Sequence, residues 1–314
     1  MERFLFQVSN KEGVDFMEIK NVTIAGAGTL GSQIAWQTAF NGFSVIVYNH
    51  SEKGLETGKA FHQQFAELFM ATRGASQEEI NQTLARLSYT TDLVDAVKDA
   101  DIISESIPED PEIKKSFYIK MGKVAPEKTI FTTNSSTMVP SEMVDAVDRP
   151  EKFLALHFAN GIWDANVGEV MGHPKTDPKI FDRVVEFARE IGMVPIPIHK
   201  EQNGYVLNSL LIPLLSAAGN LHMNGVADHE SIDKTWMIST GVKMGPFGIM
   251  DIIGMQTMYN IGKLWGEKLG DKVMLARAEF IKENFIDKGK LGVKTGEGFY
   301  KYPNPAYANP DFLK

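Results

Sequence analysis

The chain has 314 residues, more than one ordinary domain of roughly 100–200 residues and enough for two. With 43% hydrophobic and 23% charged side chains it has globular make-up, which excludes a disordered or fibrous chain. Its 32 basic and 40 acidic side chains leave a net charge of −8 with no basic block, so no nucleic-acid partner is expected, and zero cysteines exclude disulfides, thiolate nucleophiles and cysteine-ligated metals.

Residues 1–16 carry charges at both ends and no continuous apolar stretch, unlike a secretory signal. They read as an N-terminal extension before Met17, and no function is assigned to them. The densest apolar run, Tyr205–Leu215, falls short of the roughly 18 residues that span a bilayer and contains Asn208, Ser209 and Pro213. No membrane partner is therefore expected, and the expected location is cytoplasmic.

Val22–Ala25 is a β-branched run that meets a glycine turn and then a helical pattern over Leu30–Phe40. Ser44–Tyr48 is a second strand, followed by helices over Lys53–Met70 and Gln77–Leu87. Ile102–Ser104, Thr129–Thr132, Phe153–His157 and Met193–Ile198 are further strands, with helical text between them including Lys179–Ile191. Such alternation implies right-handed crossovers and a mostly parallel, doubly wound α/β sheet. After Lys200 the text turns helical: Val206–His222 with a kink at Pro213, Ser231–Ile238, Ile249–Leu264 and Val273–Glu283. The expected organisation is an α/β dinucleotide-binding domain over 17–200, an all-helical domain over 201–302 and a tail over 303–314.

Gly26-Ala27-Gly28-Thr29-Leu30-Gly31 is a G-x-G-x-x-G between a strand and a helix. Gly26 permits the tight turn, Gly28 lets backbone approach a pyrophosphate, and Gly31 lets helix and strand pack closely. The helix start then offers free N–H groups to phosphates. A glycine-rich turn without ligand is the plainer alternative. Twenty-three residues past Gly26, where an acid would bind the ribose 2′-hydroxyl and repel a 2′-phosphate, stands Asn49. NAD is the expected cofactor, with NADP tolerated second because Asn49 repels nothing and His50, Ser51 and Lys53 are nearby donors.

Of seven histidines, at 50, 62, 157, 173, 199, 222 and 229, none forms a helical metal-binding pair, and no metal site is expected. His157 ends an apolar strand, where open α/β sheets bind ligands, and an imidazole there suits proton transfer near neutral pH. Glu169, twelve residues on in Val167-Gly168-Glu169-Val170-Met171, needs a partner if buried. His157 and Glu169 read as a catalytic pair or as a structural one.

Taken together, the glycine turn, Asn134-Ser135-Ser136-Thr137, Leu156-His157-Phe158-Ala159-Asn160 with Glu169, Gly204-Tyr205-Val206-Leu207-Asn208 and Lys294-Thr295-Gly296-Glu297-Gly298-Phe299-Tyr300 resemble L-3-hydroxyacyl-CoA dehydrogenases. The resemblance covers about 17–302 and is nearest to the diketoreductase branch. It implies a Rossmann-type fold, a role in fatty-acid metabolism, and a His–Glu dyad at His157 and Glu169, with Ser136 and Asn208 contacting the substrate oxygen. Cofactor contacts are implied at Glu109, Lys114, Asn160 and Lys294. Structural alternatives stand beside these: strand-end capping for Ser136, a helix N-cap for Asn208, and a solvated surface pair for Glu109 and Lys114.

The family's His-Phe-Phe-Asn-Pro-x-Pro reads here His157-Phe158-Ala159-Asn160-Gly161-Ile162-Trp163-Asp164, and Ser209 replaces a common arginine. Phe61–Met70 holds few cations for coenzyme A phosphates. The expected substrate is thus a 3-hydroxy or 3-oxo acyl-CoA, or a related acid or ester. A free-acid dehydrogenase of the gulonate dehydrogenase and lambda-crystallin type is one rival reading. A non-catalytic dinucleotide-binding protein is the other, although a scaffold need not keep all four site residues. The apolar stretch Leu210–Gly219 predicts a homodimer, with a fully buried monomer helix as the alternative.

Overall fold

A computed structural model of the chain describes residues 17–314; the N-terminal extension proposed for 1–16 lies outside them. The chain divides into two compact units, one ending at Val206 and the other spanning Leu207–Lys314.

The first unit is built on eight strands: β1 (Asn21–Ala25), β2 (Ser44–Tyr48), β3 (Leu87–Thr90), β4 (Ile102–Glu105), β5 (Ile130–Thr133), β6 (Phe153–Phe158), β7 (Val167–Met171) and β8 (Val194–Ile198). They form one sheet in the order β3-β2-β1-β4-β5-β6-β7-β8. All neighbours are parallel except β6 and β7. The fold is thus Rossmann-type, with a mostly parallel sheet. Helices α1 (Thr29–Phe40), α2 (Glu52–Arg73), α3 (Gln77–Ala85), α4 (Leu93–Val97), α5 (Pro111–Gly122) and α6 (Pro178–Glu190) connect the strands. Two apolar clusters, one around Ile24, Trp36 and Leu156 and one around Ile103, Tyr118 and Phe131, fill the layers. Central strands covered on both faces need continuous apolar runs, and β4, β5 and β6 are buried at every residue. At the opposite extreme, β8 reads Val-Pro-Ile-Pro-Ile, and its two prolines, which have no N–H to donate, fit an edge strand with no partner on its outer side.

The expected helix over Gln77–Leu87 is corrected: α3 ends at Ala85 and Leu87 opens β3, paired in parallel with β2. Four residues of Leu-Ser-Tyr-Thr are too few to show a period, and pairing rather than local preference makes them a strand.

The second unit holds α7 (Tyr205–Met223, whose first two residues close the first unit), α8 (His229–Thr240), α9 (Pro246–Ile253), α10 (Met255–Leu269) and α11 (Lys272–Asn284). The single helix expected over Ile249–Leu264 is two, broken at Gly254, whose φ of +90° leaves the helical region. Residues 303–314, expected as a tail, contribute Phe312 to the core formed by Leu215, Met237, Phe247, Met250 and Tyr300. Helix α7 runs through Pro213 for 19 residues at mean hydropathy 1.3. By length and composition it is long enough to cross a membrane, which corrects the expectation that no segment reaches that length.

Candidate active site

The glycine turn follows β1, and each glycine has its own cause. A Cβ on Gly26, at φ +116°, would stand 2.4 Å from the Ser106 carbonyl oxygen, and one on Gly31 would stand 2.1 Å from that of Gly26. Gly28 differs: a Cβ there would meet nothing within 4 Å. Packing within the chain therefore explains two glycines, while the third lies in open space where a group from outside could approach the backbone. Thr29 and Leu30 open α1, which has no side-chain cap and no acid in its first turn. Its N–H groups and positive dipole end face outward, a ready anion site that fits a dinucleotide pyrophosphate.

Asn49 follows β2. Its Oδ1 accepts from the Ser51 N–H at 3.1 Å and the Ser51 hydroxyl at 3.3 Å, and Ser51 in turn caps α2. What Asn49 offers a ribose is its amino end, a donor.

Behind the ends of β4 and β5 lies a buried ionic knot. Lys114 is 1% exposed, so its reading as half of a solvated surface pair is corrected. Its ammonium stands 2.5 Å from Glu105 Oε1 and 3.3 Å from Glu109 Oε2. Glu105 also accepts from the Tyr118 hydroxyl, the Thr133 hydroxyl and the Ile107 N–H. Glu109 Oε1 receives the Ser135 hydroxyl at 2.5 Å, the Ser136 and Thr137 N–H groups at 3.0 Å each, and the Thr137 hydroxyl at 2.9 Å. Burial alone would raise the Glu109 carboxyl, but Lys114 and these donors hold it below the usual range. One carboxylate thus fixes the loop that carries Ser136. Sequence reading missed Glu105, a carboxylate ending an apolar strand that needs a partner once buried.

The antiparallel register of β6 and β7 sets His157 directly opposite Glu169. Cross-strand partners point to the same face, so the sheet itself brings the two side chains together. His157 Nδ1 is 2.9 Å from Glu169 Oε2, with the two side chains 3% and 2% exposed. On the other side of the ring, Nε2 is 3.1 Å from the Ser136 hydroxyl oxygen. With Nδ1–H donating to the carboxylate, neutral His157 presents Nε2 as a base, and Ser136 donates to it. The second Glu169 oxygen accepts the Val206 N–H at 2.9 Å. His62 makes a contrast: burial pulls it down to about 4, so it is a neutral packing group bonded to Tyr89 and the Ser32 carbonyl.

Asn160 is exposed on the loop leaving β6. That loop is pinned by Gln33, which accepts from the Gly161 N–H at 2.8 Å, by Trp163 against Phe65 and Phe69, and by an Arg73–Asp164 ion pair. Gln33 was invisible to sequence reading, because nothing in a polar helix residue shows which backbone it will hold. Asn208 and Lys294 belong to the second unit. Asn208 is the fourth residue of α7, which excludes its N-cap alternative; Lys294 is exposed in the short turn Val293–Thr295.

Residues 21–202 match the profile of the 3-hydroxyacyl-CoA dehydrogenase NAD binding domain, and residues 204–302 that of the 3-hydroxyacyl-CoA dehydrogenase C-terminal domain. The mitochondrial hydroxyacyl-coenzyme A dehydrogenase of Rattus norvegicus is 33% identical over 291 residues, 90% of this chain and 91% of the rat protein. Among solved structures, a diketoreductase described for dual catalysis of dicarbonyl compounds is 50% identical with a TM-score of 0.86, covering 91% of this chain and all of its own. The (S)-3-hydroxybutyryl-CoA dehydrogenase of Ralstonia eutropha is 25% identical with a TM-score of 0.80, again covering 91% of this chain and 100% of its own. With both domain profiles matched in order across nearly the whole described chain, the protein belongs to the 3-hydroxyacyl-CoA dehydrogenase family and is an NAD-dependent oxidoreductase.

Proposed function

We propose that this enzyme interconverts 3-hydroxy and 3-oxo groups, with His157 as the acid–base and Glu169 as its orienting carboxylate. The observation that carries this reading is the continuous relay Ser136–His157–Glu169. Bound NAD supplies the hydride acceptor. Gly26, Gly28, Thr29, Leu30 and Gly31 would hold its pyrophosphate, Asn49 its ribose, and Glu109, Asn160 and Lys294 further parts. Buried Lys114 serves the cofactor by fixing Glu109. In oxidation His157 Nε2 takes the hydroxyl proton, and Glu169 stabilises the imidazolium that forms. Ser136 stabilises charge on the substrate oxygen, a role that the family resemblance extends to Asn208. In reduction His157 returns the proton.

The substrate reading favours a free or esterified 3-oxo compound over acyl-CoA. The chain is 50% identical to a diketoreductase across 91% of its length, Trp163 and Asp164 replace the family's proline segment, and Asp164 already neutralises Arg73. NADH consumption should be faster with a 3-oxo ester or free 3-oxo acid than with acetoacetyl-CoA. The reverse order restores acyl-CoA as substrate, and no turnover on either would overturn the 3-oxo substrate reading.

NADH should bind better than NADPH, with measurable NADPH activity, because Asn49 imposes no charge on a 2′-phosphate. A strong phosphate site would need an arginine fork, which His50, Ser51 and Lys53 do not supply. Asn49→Asp should weaken NADPH binding roughly 5–30-fold, the effect of about 1–2 kcal/mol, and change NADH little. Dissociation constants for both cofactors decide this; tighter NADPH binding by the unaltered enzyme would reverse the assignment.

The homodimer belongs to the same proposal. Leu210 is 70% exposed, and Val206 and Leu221 stand open on the same side of the helix. An apolar helix face of that kind is covered in solution, and a second copy is the partner proposed. Sedimentation without detergent at micromolar concentration should give twice the chain mass of 34.9 kDa. A single-chain particle, or a need for detergent, would sink the dimer. A cytoplasmic location is proposed as compatible with the cysteine-free composition, and cell fractionation tests it.

A further inference from the structure

Beside the dyad sits a bulky residue in a costly backbone conformation. Tyr205 has φ +55°, and among the described residues it alone is a non-glycine at positive φ. Large side chains avoid that region unless their surroundings hold them there. Its ring is 1% exposed and packs with Ala155 of β6 and Met171 of β7, with Val139 and Ile198 against them. It lies almost flat on the His157 imidazole, with ring centroids 4.4 Å apart and planes 17° from parallel. The next residue, Val206, gives its N–H to Glu169. Just before, Asn203 donates to the Thr137 carbonyl at 2.8 Å, and Glu201 accepts from the Ser141 N–H at 2.8 Å and its hydroxyl at 2.5 Å. Residues 201–206 therefore grip the Ser136 loop, the imidazole and the carboxylate together.

We infer that Tyr205 is a positioning residue for proton transfer, whose ring face fixes the imidazole plane and stabilises the imidazolium that His157 becomes. This rests on the reading of His157 and Glu169 as the dyad. The face of an aromatic ring carries the negative part of its quadrupole, so a cation stacked on it is favoured over the neutral base. Burial, and then the Glu109, Glu169, Glu105 and Glu201 carboxylates, push the Tyr205 phenol up, so the ring stays uncharged through the working range. The groups around the imidazole are Glu169 on β7, Ser136 after β5 and the Tyr205 ring. Glu109, Glu105 and Lys114 lie behind the serine loop, and Glu201 lies on the segment leading to Tyr205. The left-handed backbone at 205 delivers the ring and the following N–H to two dyad members at once.

The test is the pH profile of kcat for oxidation of the best 3-hydroxy substrate. It is run on the intact enzyme, on Tyr205→Phe, on Tyr205→Leu, and on a set of phenylalanines with one to five ring fluorines at position 205. Tyr205→Phe should keep the profile. Tyr205→Leu should move the acid limb down by roughly 0.5–1 pH unit and lower kcat several-fold, with KM for NAD unchanged. The fluorinated rings keep the shape and drain the face of electron density, so the limb should fall stepwise with fluorine count. This series decides the matter even if Tyr205→Leu does not fold. A flat series, with His157→Ala inactive, would make Tyr205 a space-filler and overturn this inference alone. Full activity in His157→Ala would overturn the dyad and this inference with it.

Discussion

His157→Ala should lower turnover about 10²–10⁴-fold with the best substrate, the usual share of a positioned acid–base group. NAD binding should be unchanged, because the glycine turn and Asn49 lie on the other half of the sheet, at the ends of β1 and β2. Glu169→Gln separates orientation from charge. A glutamine keeps an oxygen that can accept from Nδ1–H, so part of the ring alignment survives. The negative charge that stabilises the imidazolium is lost, and the Val206 N–H still needs an acceptor from the same side chain. Glu169→Gln should therefore be slower than the unaltered enzyme and faster than His157→Ala. Steady-state rates with cofactor dissociation constants check all three statements. A near-normal rate in either variant would remove the dyad from the mechanism.

The parts of this site legible in sequence are those that rest on short range. The glycine turn announces itself because three steric demands fall within six residues, and the structure gives each glycine a separate cause. His157 and Glu169 stood out as polar residues in apolar strands, but their pairing came from a register. The eight-residue link 159–166 is too short for a parallel crossover, so the antiparallel direction of β7 had a local signal, but the register did not. One residue of slip would have put Glu169 on the opposite face. Tyr205 was legible only as part of a motif, since a backbone angle leaves no trace in composition. The exposed apolar face of α7 was underestimated because Asn208, Ser209 and Pro213 interrupt the run without shortening the helix.

The ionic knot was the least legible feature and has large consequences. Lys114→Met should destabilise the enzyme by about 3–5 kcal/mol, because it strands the Glu105 carboxylate, which is 0% exposed, without its counter-charge. The hydroxyls of Tyr118 and Thr133 and the Ile107 N–H would remain as donors, but none supplies a positive charge. The double variant Lys114→Met with Glu105→Gln removes both charges, and much of the lost stability should return, since a neutral amide costs far less to bury than an unpaired carboxylate. Function should not return with it. Glu109 would still lack the ammonium 3.3 Å away that holds it in place over the Ser135–Thr137 loop, so Ser136 would lose its fixed distance to His157. Urea unfolding and kcat, measured side by side on the single and double variants, check the two halves separately. Stability lost and regained while turnover stays low is the expected result. A double variant that recovers both would reduce Lys114 to the counter-ion of Glu105 and leave the serine loop to position itself.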